Sequence, residues 1–172
     1  MPHAIRRALA TVTLALVSLA AGADAPPPKP AGCGVAAHRQ FDFWLGDWDV
    51  TDAKGKPAGR NRIVSLHDGC ALQESWTGAG GFTGTSLNAY DADRKRWHQT
   101  WVDNSGGVLL LEGEFANGRM VLAGETLDAG RRVLQRITWE RLPDARVRQL
   151  WESSRDGGTT WTVAFDGYYA KR

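Results

Sequence analysis

None of the side chains in this 172-residue chain that could make or break bonds is spaced for that work. The histidines are His3, His38, His67 and His98, and no two of them stand at the short spacing a zinc site requires. Glu112 and Glu114 share a strand face with Val108 and Leu110, while Leu109, Leu111 and Phe115 make the opposite face the more apolar one. That places the two carboxylates in solvent rather than in acid–base chemistry. Asp42, Asp47, Asp49 and Asp52 crowd one stretch, where capping and turn bonding account for them. Ser65, Ser75, Ser86 and Ser153 occur in no nucleophile-elbow context, so an acyl-transfer triad has no support. No catalytic or metal-ligating residue is assigned, and no cofactor is expected.

Recognition chemistry is better represented. The chain has eight tryptophans, and their placement carries more information than their number. Trp97, Gln99, Trp101 and Asp103 have one parity along a strand. So do Val133, Gln135, Ile137 and Trp139, and so do Val147, Gln149 and Trp151. Ser86, Asn88 and Tyr90 extend the pattern. A slip of one residue would move each set to the other face and expose its indoles, so the sets are expected to point inward together. Asn88, Tyr90, Trp97, Gln99, Trp101, Gln135, Trp139, Gln149 and Trp151 are therefore the candidate site. It would be an amphipathic cavity in which aromatic walls supply contact area and amides fix orientation. Two other readings stay open: a solid core in a structural envelope protein, and an enzyme acting on a small sugar or aromatic metabolite in the same cavity.

These residues need strands to position them, and the chain from Trp48 onward reads as strands throughout. Alternating runs at 48–53, 59–66, 70–77, 83–92, 96–103, 107–115, 119–126, 131–141, 146–154 and 161–170 are separated by short turn sequences such as Asn117-Gly118 and Asp128-Ala129-Gly130. Short connections make consecutive strands antiparallel neighbours. About ten of them can close on themselves and so remove exposed edges. The expected fold is all-β, a closed antiparallel up-and-down barrel with a short N-terminal helical plug, favoured over a two-sheet sandwich.

The plug is read from Phe41-Asp42-Phe43-Trp44-Leu45-Gly46-Asp47-Trp48-Asp49-Val50. Phe41, Trp44, Leu45 and Trp48 fall on one helical face, and Gly46 permits the change of direction into a strand. Gly46-Asp47-Trp48, a G-x-W at the start of the first strand, resembles the signature of the calycin superfamily of lipocalins, fatty-acid-binding proteins and nitrobindin-like barrels. The resemblance implies that Trp48 closes the barrel base against a basic residue of the last strand, for which Lys171 and Arg172 are the candidates. FDFWLGDWDV together with YDADRKRWHQTWVDN is similar to small secreted bacterial proteins over nearly all of the chain beyond its leader. Nitrobindin-like barrels hold haem through an inward histidine. His98 has the parity opposite to Trp97 and Trp101, which argues against haem here. Ser154-Arg155-Asp156-Gly157-Gly158-Thr159-Thr160-Trp161 resembles an Asp-box, a structural hairpin whose tryptophan packs inward.

The chain opens with Arg6-Arg7, an uncharged apolar run and Ala21-Gly22-Ala23, which together read as a signal peptide over residues 1–23. A retained membrane anchor is the rival, but the run is short for a bilayer. Residues 24–37 are a proline-rich tether, and 38–172 the barrel domain. In an exported chain Cys33 and Cys70, the only cysteines, are expected to pair. A lipid-modified Cys33 is disfavoured by Pro30 and by the tether. Without Arg6 and Arg7 the basic and acidic residues balance, leaving no basic stripe for nucleic acid. The expectation is a secreted or periplasmic monomer, without a stable membrane anchor, that binds a small amphipathic or hydrophobic molecule and is non-catalytic.

Overall fold

The computed structural model describes residues 32–172. The leader and the tether up to residue 31 lie outside the described residues. Two 3₁₀ turns, Ala36–Arg39 and Asp42–Trp44, lead into ten strands. These are β1 (Gly46–Asp52), β2 (Pro57–Leu66), β3 (Ala71–Gly78), β4 (Thr83–Asp91), β5 (Arg96–Asp103), β6 (Val108–Ala116), β7 (Arg119–Asp128), β8 (Arg131–Arg141), β9 (Val147–Ser154) and β10 (Thr162–Lys171). Each strand pairs antiparallel with the next, and β10 pairs back to β1, so the barrel is closed. The turn sequences explain the meander. Asn117 and Gly118 have φ of 53° and 78°, and Ala129 and Gly130 have 47° and 77°, the left-handed pairs that match the twist of two strands joined by a two-residue loop.

The expected short helical plug is present, wound as 3₁₀ turns. With Gln40 on one side and Gly46 on the other, the segment has room only for tight 3₁₀ turns, and Trp48 already belongs to β1. The chain direction still delivers the aromatic residues to one place. The Trp48 indole donates to the Trp44 carbonyl at 2.9 Å. Phe41 stacks on Trp44 at 4.9 Å between centroids, and meets Trp97 and Trp139 edge-on at 5.6 and 5.2 Å. Lys171, opposite Trp48 in the β1–β10 register, holds its ammonium 4.6 Å from the Trp48 ring centroid and donates to the Leu45 carbonyl at 2.6 Å. Gly46, at φ 132°, leaves the space this ammonium occupies. Arg172 does not share the role and pairs with Asp49 at 3.6 Å. Cys33 and Cys70 form a disulfide that ties the segment before the plug to the start of β3.

Much of the outer wall is charged, while Leu87, Val102, Val108 and Leu110 leave an exposed apolar area on β4–β6. Cross-strand pairs include Arg60–Asp49 at 3.2 Å, Arg148–Asp166 at 2.8 Å and Arg136–Glu152 at 2.9 Å. Such pairs add little stability, but they are unlike the apolar band of a lipid-facing barrel. Among the described residues no helix is long and apolar enough to cross a membrane. The Asp-box hairpin also lies outside. Asp156 accepts from the Ser154 hydroxyl at 2.8 Å and the Thr160 hydroxyl at 2.6 Å, and these donors hold its carboxyl down at about 2. Trp161 does not pack inward. Its ring sits 4.0 Å from the guanidinium carbon of Arg136 on the outer wall.

Candidate functional site

The plug fills one end of the barrel, and the other end holds a cavity of about 330 Å³. Its walls carry Trp76 (β3), Trp101 (β5), Trp139 (β8), Trp151 (β9) and Phe165 (β10), with Phe82 at the rim. Two contacts knit this wall together: Trp76 meets Phe165 edge-on at 5.9 Å, and Phe82 lies 6.4 Å from Trp101. Gly84 lies under the Trp101 ring, where any Cβ would collide with the indole. The rim is the end of β3 at Gly78, the β3–β4 loop with Ala79 and Gly80, and the first residues of β10 near Ala164. Phe82 is 41 % exposed there, so the cavity opens to solvent at this end.

The inner surface is polar and centred on Glu74. This carboxylate on β3 is only 4 % exposed. It accepts from Asn61 Nδ2 at 2.7 Å and from the Ser86 hydroxyl at 2.6 Å. Ser86 in turn accepts from Asn88 Nδ2 at 2.9 Å, and the Asn88 carbonyl accepts from Gln99 Nε2 at 2.7 Å. On the other side Asn61 reaches the Tyr169 hydroxyl at 3.4 Å, and Tyr169 donates to the Gln149 carbonyl. Glu74, Gln99, Gln149 and Tyr169 all line the cavity. Burial pushes the Glu74 carboxyl up to about 7, against the opposing pull of its Ser86 and Asn61 bonds. Tyr169 is raised well above its ordinary value, first by burial and then by the Glu74 charge, and stays neutral across the physiological range.

The residues singled out from the sequence divide between two places. Gln99, Trp101, Trp139, Gln149 and Trp151 line the cavity. Gln135 stands behind the wall, accepting from the Trp151 indole at 2.7 Å and donating to the Thr126 hydroxyl at 2.9 Å. Asn88 is fully buried in the Glu74 network rather than on the cavity surface. Trp97 lies under the plug against Phe41 and bonds to Gln40 at 3.1 Å, with Tyr90 beside it at 5.9 Å. His98 is on the outer wall, bonded to Thr100 at 2.9 Å, and offers nothing to a group inside the barrel. Glu112, also outside, is paired with Arg94 at 2.6 Å. Ser86 is 1 % exposed and does not line the cavity, so it has no access to a substrate. Among the described residues there is no cluster of three potential metal ligands.

Sequence reasoning missed Glu74, Asn61, Trp76, Phe82, Phe165 and Tyr169. A signal for Glu74 was present, because it has the parity of Leu72 and Trp76 on β3 and interrupts an apolar face. A lone carboxylate between two apolar neighbours of its own parity is the pattern of a buried acid. Tyr169 and Asn61 carried no such mark, since neither interrupts an apolar face in the way Glu74 does and their contact with each other joins β2 to β10.

No protein-family model matches the chain, and no curated protein matches it.

Proposed function

We propose that this protein is an exported, calycin-like barrel that holds a small amphipathic molecule in the open half of its interior, without chemistry of its own. The observation that carries the reading is the pairing of indole walls with a hydrogen-bonded polar inner surface around one solvent-open cavity. Its volume of about 330 Å³ falls at the low end of small-molecule pockets, roughly 300–1,000 Å³. Secretion or a periplasmic location rests on the leader sequence and on the disulfide. The arginine–carboxylate pairs on the outer wall support a barrel that does not face lipid, and the balance of basic and acidic residues beyond the leader supports one without a nucleic-acid partner. The void speaks against a purely structural barrel with a filled core.

A titration of intrinsic tryptophan fluorescence against lipids, sugars, haem and small aromatic amines and acids tests the reading. Saturable quenching by one of these classes, lost in Trp101→Ala while the variant remains folded, is the expected result. No saturable change with any class would overturn it. One observation favours an enzyme instead: Glu74 is a cavity carboxyl that titrates near neutral pH, where general acid–base catalysis is most effective. Mass spectrometry of a bound compound after incubation separates the two, because a carrier returns it unchanged.

A further inference from the structure

Resting on that binding reading, we infer that the cavity takes an organic cation, an ammonium headgroup on an apolar or aromatic body, with Glu74 as its counter-charge. The lining residues include no lysine, arginine or histidine, and Glu74 is their only carboxylate. Its partners are the neutral side chains of Asn61 and Ser86, so no cation among the described residues neutralises it. A buried carboxylate without a counter-ion is costly, and a ligand that brings the cation removes that cost.

The walls select the same charge. Aromatic ring faces attract cations and repel anions, and four indoles and two phenyl rings line this space. The indole N–H groups of Trp101 and Trp151, which could otherwise have met an anion, are spent on Asp103 Oδ2 at 3.0 Å and on Gln135 Oε1 at 2.7 Å. Asp103 adds a second negative charge beside the Trp101 wall. A carboxylate or phosphate ligand would therefore meet a like charge and aromatic faces, with no cation to receive it.

Proton linkage follows from the same geometry. Glu74 on β3 faces Asn61 of β2, Ser86 of β4 and, across the barrel, Gln149 of β9 and Tyr169 of β10. Tyr169 is the one other titratable group among them, and it stays neutral. With the carboxyl near 7, the cation site is mostly occupied by a proton below that pH and vacated above it. Cation binding displaces the proton.

Isothermal titration of the unmodified protein with phenethylammonium, phenethyl alcohol and hydrocinnamate, which share one aromatic body and differ in head charge, tests the inference. At about pH 8 the ammonium is expected to bind at least tenfold more tightly than the alcohol, and the carboxylate not measurably. Between about pH 8 and pH 6 the ammonium affinity should fall roughly tenfold as Glu74 takes up its proton, while the alcohol affinity stays level. Glu74→Gln should bring the ammonium down to the level of the alcohol and flatten its pH profile, with near-ultraviolet dichroism of the indoles reporting the fold. Equal binding of all three compounds, or tighter binding of the carboxylate, would overturn the inference and leave the binding reading standing. Failure of all three to bind would overturn the inference, and the fluorescence titration against the other ligand classes would then decide the binding reading.

Discussion

At the plug end Trp44, Trp48 and Trp97 are at most 1 % exposed, whereas at the mouth Trp76, Trp101 and Trp151 are only partly covered, and Trp139 stands between the two, against Phe41 on one side and the cavity on the other. One strand contributes to both ends: Trp97 and Trp101 have equal parity on β5, with Gln99 between them. What differs is whether another segment comes to lie on the rings. At one end Phe41 and Trp44 are driven between the strand indoles, and the segment that carries them is anchored through Cys33–Cys70. At the other end only a short glycine-rich loop crosses the rim. An inward tryptophan is thus a core residue or a wall residue according to what the chain places on it.

The sharpest way to break the comparison is Trp48→Ala. Loss of a fully packed indole with the Lys171 cation on its face should cost roughly 3–5 kcal/mol in denaturant unfolding. A loss typical of an exposed substitution would mean that the plug end is not a solid core. Replacing both Cys33 and Cys70 with serine comes next. The bridge spans 37 residues, and the chain-entropy account puts its contribution at about 4 kcal/mol before any native strain is subtracted. The loss should be accompanied by earlier hydrogen exchange around the plug than around the mouth.

The third effect belongs to the mouth half and depends on pH. Folding raises the Glu74 carboxyl from 4.5 to about 7, so between these values the native state holds a proton that the unfolded chain has released. Its contribution is fully present below about pH 4.5 and is lost as pH rises through about 7, a change on the order of 3 kcal/mol. In Glu74→Gln this fall should disappear, so the variant should match the parent near pH 5 and exceed it near pH 8. A parallel pH profile for the two proteins would show that the carboxyl is not buried in solution. The smallest effect is expected from Trp101→Ala, about 1–2 kcal/mol, because one side of that ring already faces open space. A loss as large as that of Trp48→Ala would make the mouth a second core.

Parity on individual strands was legible. The β5, β8 and β9 sets point inward, and the alternation of Val133, Gln135, Ile137 and Trp139 appears unbroken in their burial. The turns were legible for the same local reason, since Asn117-Gly118 prefers left-handed dihedrals wherever it occurs. The form of the plug was less so, because a few aromatic residues at spacings of three and four suit a 3₁₀ turn entering a strand as well as they suit a helix.

Side-chain period and turn chemistry depend on neighbours a few residues away, and so the sequence by itself determined the strands, their inward faces, their antiparallel order and the pairing of the only two cysteines. The division of the interior into a filled half and an open half was decided by tertiary structure. It depends on how far the plug reaches along the axis, a quantity no local pattern encodes. Tertiary structure also decided the chemistry of the cavity. Asn61, Glu74, Ser86, Gln149 and Tyr169 come from five strands, and the Asn61–Tyr169 bond that joins the cluster on β2–β4 to the pair on β9–β10 exists only once β1 closes on β10. Burial, and with it the altered proton affinity of Glu74, is a property of that assembled enclosure and not of any segment that contributes to it.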